Sequence, residues 1–231
     1  VWDKSSLPIM VNRDYRLPKF AGEKTLVIAV SYSGDTFETL AQFYEAYKRK
    51  CILFCISSGG KLKKASEKLN VQFLKVKEGL PPRAALPCLL SSIAYILSKF
   101  EPSISLSELE LAAKKMEEVK KEVEVSRNVE ENLAKKMALS ILGKYPTIYA
   151  FTGMSSVARR IKDQINENSK TPAKFESLPE ACHNEIEGIN YLEKENFCFL
   201  FVEGQEKMEK IIIEEFKKVL NENGLVNIYD I

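Results

Sequence analysis

Ser31, Ser33 and Thr36 place three hydroxyls within six residues of one another, in the stretch TLVIAVSYSGDTFETL from Thr25 to Leu40. They follow the apolar, partly β-branched run Thr25–Val30, which reads as a strand buried on both faces. They precede a helical pattern in which Phe37, Leu40, Ala41 and Tyr44 recur at i, i+3, i+4 and i+7. A strand, a hydroxyl-rich turn and a helix in that order aim the first unpaired amides of the helix at whatever sits above the strand end. Those amides and the helix dipole both favour an anion. The turn has no Lys, so it is no nucleotide P-loop, and Gly34 alone makes no dinucleotide fingerprint. A compact phosphate monoester fits best. The alternative is that Ser33 or Asp35 simply caps the helix.

Three later residues add reactive groups. Arg83, in PPRAALP, stands at the start of an apolar helix, where a cation is poorly matched to the dipole. It reads either as half of a surface ion pair or as a cation aimed at developing oxyanion charge. Glu167, in QINENSK, follows an inferred helix end, where the negative dipole raises a carboxyl's pKa toward that of a useful base. Taken by itself, the position favours an exposed helix-end glutamate over a base. His183 is the only histidine and lies in the acid-rich, irregular segment LPEACHNEI, where structural and catalytic roles remain open.

The elements that must position these groups follow an alternating pattern. Strands are expected at 25–30, 51–56 and 71–76, with helices from Phe37 to about Lys50, over 61–69, and from Arg83 through Leu97. Pro87 is tolerable there only near the first turn. Leu7–Val11 reads as a short edge strand. Two amphipathic helices, about 106–123 and 129–142, cross a charged stretch without strands. The alternation restarts with a strand at 147–151, a helix at 157–165, a strand at 197–202, a helix at 206–220 and a strand at 226–229. Such alternation implies parallel sheets with right-handed crossovers, and the second half echoes the first.

Composition sets the remaining bounds. The charge of +2 comes from 34 basic and 32 acidic residues, which gives no electrostatic case for nucleic acid or a membrane surface. No apolar run approaches the ~20 residues of a membrane helix, and VWDKSSLPIM is no signal peptide. The five scattered cysteines form no C-x-x-C pair and read as buried free thiols of a reducing cytoplasm. With one histidine, a zinc site lacks partners.

SYSGDTFETL is very similar to the S-x-S-G-[NDE]-T-x-E-[TV] loop of sugar isomerase (SIS) domains. With PPRAALP, NENSK and LPEACHNEIEG following in order, the chain from about Thr25 to Ile189 resembles the bifunctional phosphoglucose/phosphomannose isomerases of that superfamily. The resemblance implies an α/β fold of two SIS-type subdomains, 1–102 and 144–231, joined by a helical linker over 103–143. It implies that Ser31, Ser33 and Thr36 hold phosphate, Arg83 stabilises an enediolate, Glu167 moves the proton and His183 assists ring opening. Cys182 stands where a second histidine can occur, which leaves His183 unambiguous. The implied substrates are hexose 6-phosphates, with no cofactor or metal, in a homodimer whose His183 reaches the neighbouring subunit's site. A non-catalytic phosphosugar module is the rival reading, but it has no need of Arg83, Glu167 and His183. A serine hydrolase is disfavoured, since neither SYSGD nor TGMSSV fits G-x-S-x-G. The family pattern also includes an upstream glycine-rich loop and a downstream lysine that nothing here matches, so the chain is expected to be an incomplete version of the family's.

Overall fold

The computed structural model describes residues 5–204 and 206–231. The reading of the first ten residues as no signal peptide falls partly on residues 1–4, outside the described residues. The chain divides into two compact units, Val1–Glu117 and Glu118–Ile231.

The first unit is built on three parallel strands in the order β1 (Leu26–Val30), β2 (Ile52–Ser57) and β3 (Gln72–Lys75). Side chains alternate across a sheet, so each strand feeds two cores. Ala29, Leu53 and Cys55 meet Phe43 and Ala46 of α1 (Phe37–Lys48) and Leu62 and Ala65 of α2 (Gly60–Lys68). Ile28, Phe54 and Ile56 face Ile93 and Ile96 of α3 (Leu86–Leu97). This two-sided burial is why the strands read as continuous apolar runs.

The second unit has four parallel strands in the order β5-β4-β6-β7: Lys174–Leu178, Tyr145–Phe151, Phe197–Phe201 and Ile228–Asp230. On one face, Tyr149, Phe199 and Phe201 pack with Ile213, Phe216 and Leu220 of α7 (Lys207–Glu222). On the other, Ile148, Ala150 and Leu200 pack with Ala158 of α6 (Ser155–Gln164) and Ile141 of α5 (Leu133–Ile141). The helix α4 (Ser107–Glu122) spans the division between the units.

Several expectations need correction. Leu7–Val11 forms no strand; Leu7, Ile9, Met10 and Val11 are exposed, and the following loop is pinned to α1 instead. The Leu17 amide donates to Glu45 Oε2 (2.7 Å) and Arg49 Nη1 to the Pro18 carbonyl (2.7 Å). The helix expected from Arg83 begins at Leu86. A 3₁₀ turn, Pro82–Ala84, comes first, because Pro87 fits only within the first helical turn. α5 starts at Leu133 rather than Val129, because Asn132 accepts from the Lys135 amide (3.0 Å) and caps the helix there. β5 was not expected at all.

Candidate active site

The hydroxyl-rich turn stands beyond the carboxyl end of β1, where open α/β sheets place their ligands. Ser31, only 5% exposed, shares a 2.7 Å hydrogen bond with Thr36 Oγ1. The Gly34 amide donates to Ser31 Oγ (3.1 Å) and the Asp35 amide to Ser33 Oγ (3.2 Å). Ser33 and Thr36 are exposed. Thr36 is the N-cap residue of α1, yet its side chain does not cap the helix. The capping role considered for Ser33 or Asp35 is also not filled at α1; Asp35 Oδ1 instead accepts from the Lys61 amide at the start of α2 (3.0 Å). The N-terminus of α1 thus presents first-turn amides without a side-chain cap, flanked by Ser33 and Thr36, which is chemistry suited to a tetrahedral anion.

Arg83 lies on the exposed 3₁₀ turn after β3. Tyr32, from the hydroxyl turn itself, ties the two segments together. Its phenol donates to the Lys77 carbonyl (3.1 Å) and accepts from the Leu80 amide (2.7 Å), fixing the loop that leads into Arg83. Sequence reading missed Tyr32 because a tyrosine within a polar turn gives no signal of where its hydroxyl goes.

Glu167 and His183 belong to the second unit. α6 does not end before Glu167; it widens into a π-helical turn, Ile165–Ser169, closed by Lys170 in the left-handed region (φ 58°). Lys170 Nζ donates to the Glu167 carbonyl (2.6 Å) and Ser169 Oγ to that of Ile165 (2.7 Å). Glu167 projects from this turn as an exposed residue, and π turns of this kind are frequent at functional sites. His183 follows a short 3₁₀ turn, Glu180–Cys182, and is exposed. Its segment is tied back to β5 by Lys174, which donates to Glu185 (3.0 Å) and pairs with Glu176 (3.1 Å). Burial works against the Lys174 ammonium, but these two carboxylates outweigh it and hold its pKa above the ordinary value. Glu167 precedes β5 and His183 follows it, and the five-residue strand alone spans about 16 Å. Among the described residues, no hydrogen bond or ion pair joins their side chains.

Burial pushes the Cys55 thiol up to about 12 and the Cys198 thiol up to about 11, and all five cysteines are free. Among the described residues, no group of three or more His, Cys, Asp or Glu side chains could hold a metal, and no helix is long and apolar enough to cross a membrane.

Residues 130–231 match the bacterial phospho-glucose isomerase C-terminal SIS domain. A bifunctional phosphoglucose/phosphomannose isomerase of Caldicellulosiruptor bescii is 40% identical over 192 residues, covering 81% of this chain and 56% of the relative. One of Aquifex aeolicus is 34% identical over 230 residues, covering 96% and 66%. Over most of its length the chain is therefore similar to bifunctional phosphoglucose/phosphomannose isomerases. It spans between about half and two thirds of the length of these relatives. A hypothetical protein from Thermus thermophilus superposes with a TM-score of 0.67 at 19% identity, covering 89% of this chain and 59% of its own, which shows the shared α/β fold of helix-flanked parallel sheets.

Proposed function

We propose that this chain provides aldose–ketose isomerisation, interconverting glucose 6-phosphate or mannose 6-phosphate with fructose 6-phosphate. The observation that carries the reading is the α1 N-terminus, left without a side-chain cap beside Ser33 and Thr36, in a chain whose relatives are named for these two isomerisations. Ser31, Ser33 and Thr36 hold the phosphate, Ser31 through its bond to Thr36. His183 moves the proton that opens the sugar ring. Glu167 takes the C2 proton of the open aldose, leaving an enediolate, and returns it to C1 while the O1 and O2 protons are exchanged. Arg83 offsets the charge of that intermediate. No step asks for a metal or cofactor, because the substrate carbonyl accepts the electron pair.

The separation of Glu167 from His183 along β5 favours a homodimer in which His183 serves the neighbouring copy's site. The subdomain limits 1–102 and 144–231, with 103–143 as helical linker, are part of the same reading, as is a place in the cytoplasm with neither nucleic acid nor membrane as partner.

The test is isomerisation of fructose 6-phosphate followed by NMR, which separates C1–C2 proton transfer from inversion at another carbon. Glu167→Gln should lower kcat by on the order of 10²–10⁴ while a sugar-phosphate inhibitor binds as before. Near-normal turnover in this variant removes Glu167 from the mechanism. Binding without turnover in the unmodified chain returns the non-catalytic phosphosugar module.

A further inference from the structure

The turn that carries Ser33 and Thr36 does not stand alone. The turn after β2, Ser57-Ser58-Gly59-Gly60, lies against it back to back. Gly34 (φ +75°) and Gly60 (φ +71°) both occupy the left-handed region. A Cβ on Gly34 would lie 2.0 Å from the Gly59 carbonyl oxygen, and one on Gly60 would lie 2.2 Å from that of Ser33. Backbone therefore meets backbone at a distance that no side chain can share.

Hydrogen bonds run across this contact in one direction, from the second turn to the first. The Ser58 amide and hydroxyl both donate to the Tyr32 carbonyl (2.8 and 2.7 Å). The Leu62 amide donates to the Gly34 carbonyl (2.8 Å), and the Lys61 amide to Asp35 Oδ1 (3.0 Å). The second turn is itself braced, since Ser57 Oγ donates to the Gly59 carbonyl (2.7 Å) and accepts from the Gly59 amide (3.2 Å). Asp35 adds an electrostatic point. It is the residue before Thr36, and its negative charge would oppose an anion at the α1 N-terminus. Bonded to the start of α2, the carboxylate is held by another helix's positive end.

We propose that Asp35 and Gly60 are positioning residues for the phosphate subsite. Through them the second turn fixes the spacing of Ser33, Thr36 and the first amides of α1. The inference rests on the phosphate-binding reading of the first turn, and goes beyond it by placing part of the affinity in a turn that supplies no ligand of its own.

The test measures affinity of the full 231-residue chain for fructose 6-phosphate and for inorganic phosphate by calorimetry, in Asp35→Ala, Asp35→Asn and Gly60→Ala, with Ser33→Ala as reference. Asp35→Ala should weaken both ligands about tenfold, the scale of one charge-assisted bond. Asp35→Asn should restore binding, because its Oδ1 still accepts from the Lys61 amide. Turnover should show the same pattern in KM, with kcat changed less than about twofold. Gly60→Ala should weaken binding further, but it strains the fold, so the Asp35 pair decides. Wild-type affinity in Asp35→Ala together with a loss in Ser33→Ala overturns the inference and leaves the phosphate reading standing. An Asp35→Asn variant as weak as Asp35→Ala also overturns it. Wild-type affinity in Ser33→Ala, or no binding by the unmodified chain, overturns the phosphate reading and the inference with it.

Discussion

Glu101 shows how much one side chain outside the candidate site can organise. It is a buried carboxylate, 4% exposed, just beyond the end of α3. It accepts from the Ser6 hydroxyl (2.8 Å) and amide (2.9 Å), and from the Ser103 hydroxyl (2.8 Å) and amide (3.2 Å). The Ser6 and Ser103 bonds favour the charged form and hold the carboxyl down at about 2. A folded pKa below the unfolded value contributes stability that is complete above the unfolded pKa. That stability fades as pH falls toward the folded one. The window therefore runs from about pH 4.3, the ordinary glutamate value, down to about pH 2. Urea midpoints measured across that range should drop more steeply for the wild type than for Glu101→Gln, which should also be less stable at neutral pH. Equal slopes would show that Glu101 is not the linked group. None of this was legible in the sequence, since Ser6 and Ser103 are nearly a hundred residues apart. Ser31, Ser33 and Thr36 were legible because their turn is a local unit.

At the scale of elements, the same distinction recurs. β1, β2, β4 and β6 were readable because burial on both faces writes an unbroken apolar run into the chain. β5 was not. It is an edge strand whose Lys174 and Glu176 point into a polar cluster, so its sequence, KFESL, carries neither a continuous run nor a clean alternation. The π turn carrying Glu167 was missed for another reason: asparagines at 166 and 168 signal a helix end, while the chain only widens its helix there. Asn132 is the opposite case, a side chain that sets a helix start against the apolar pattern. Nearly inaccessible at 1% exposure, it caps α5 and also donates to the Glu124 carbonyl (2.9 Å). Asn132→Ala should cost about 1–2 kcal/mol, read as a lower urea midpoint, and Asn132→Asp should recover the capping share. An unchanged midpoint in Asn132→Ala would mean the cap contributes nothing net.

At the scale of the whole molecule, each unit is a parallel sheet with its own two-sided core, and each carries part of the candidate chemistry: Ser31, Ser33, Thr36 and Arg83 in one, Glu167 and His183 in the other. The core of the second unit contains one group with a separate use. Tyr149 stacks between Phe199 and Phe201, packs on Phe216, and is fully buried; its hydroxyl has no hydrogen-bond partner of normal geometry. Burial first, and then the neighbouring Glu185 charge, push its phenol far above the ordinary tyrosine value. It can lose its proton only when the aromatic stack comes apart. A rapid jump to alkaline pH therefore makes Tyr149 an optical clock: its tyrosinate absorbance should appear in a slow phase, at the rate at which the 118–231 unit opens. Tyr149→Phe should delete that phase alone. If the slow phase survives the substitution, the clock is another residue, and the stack is not the gate.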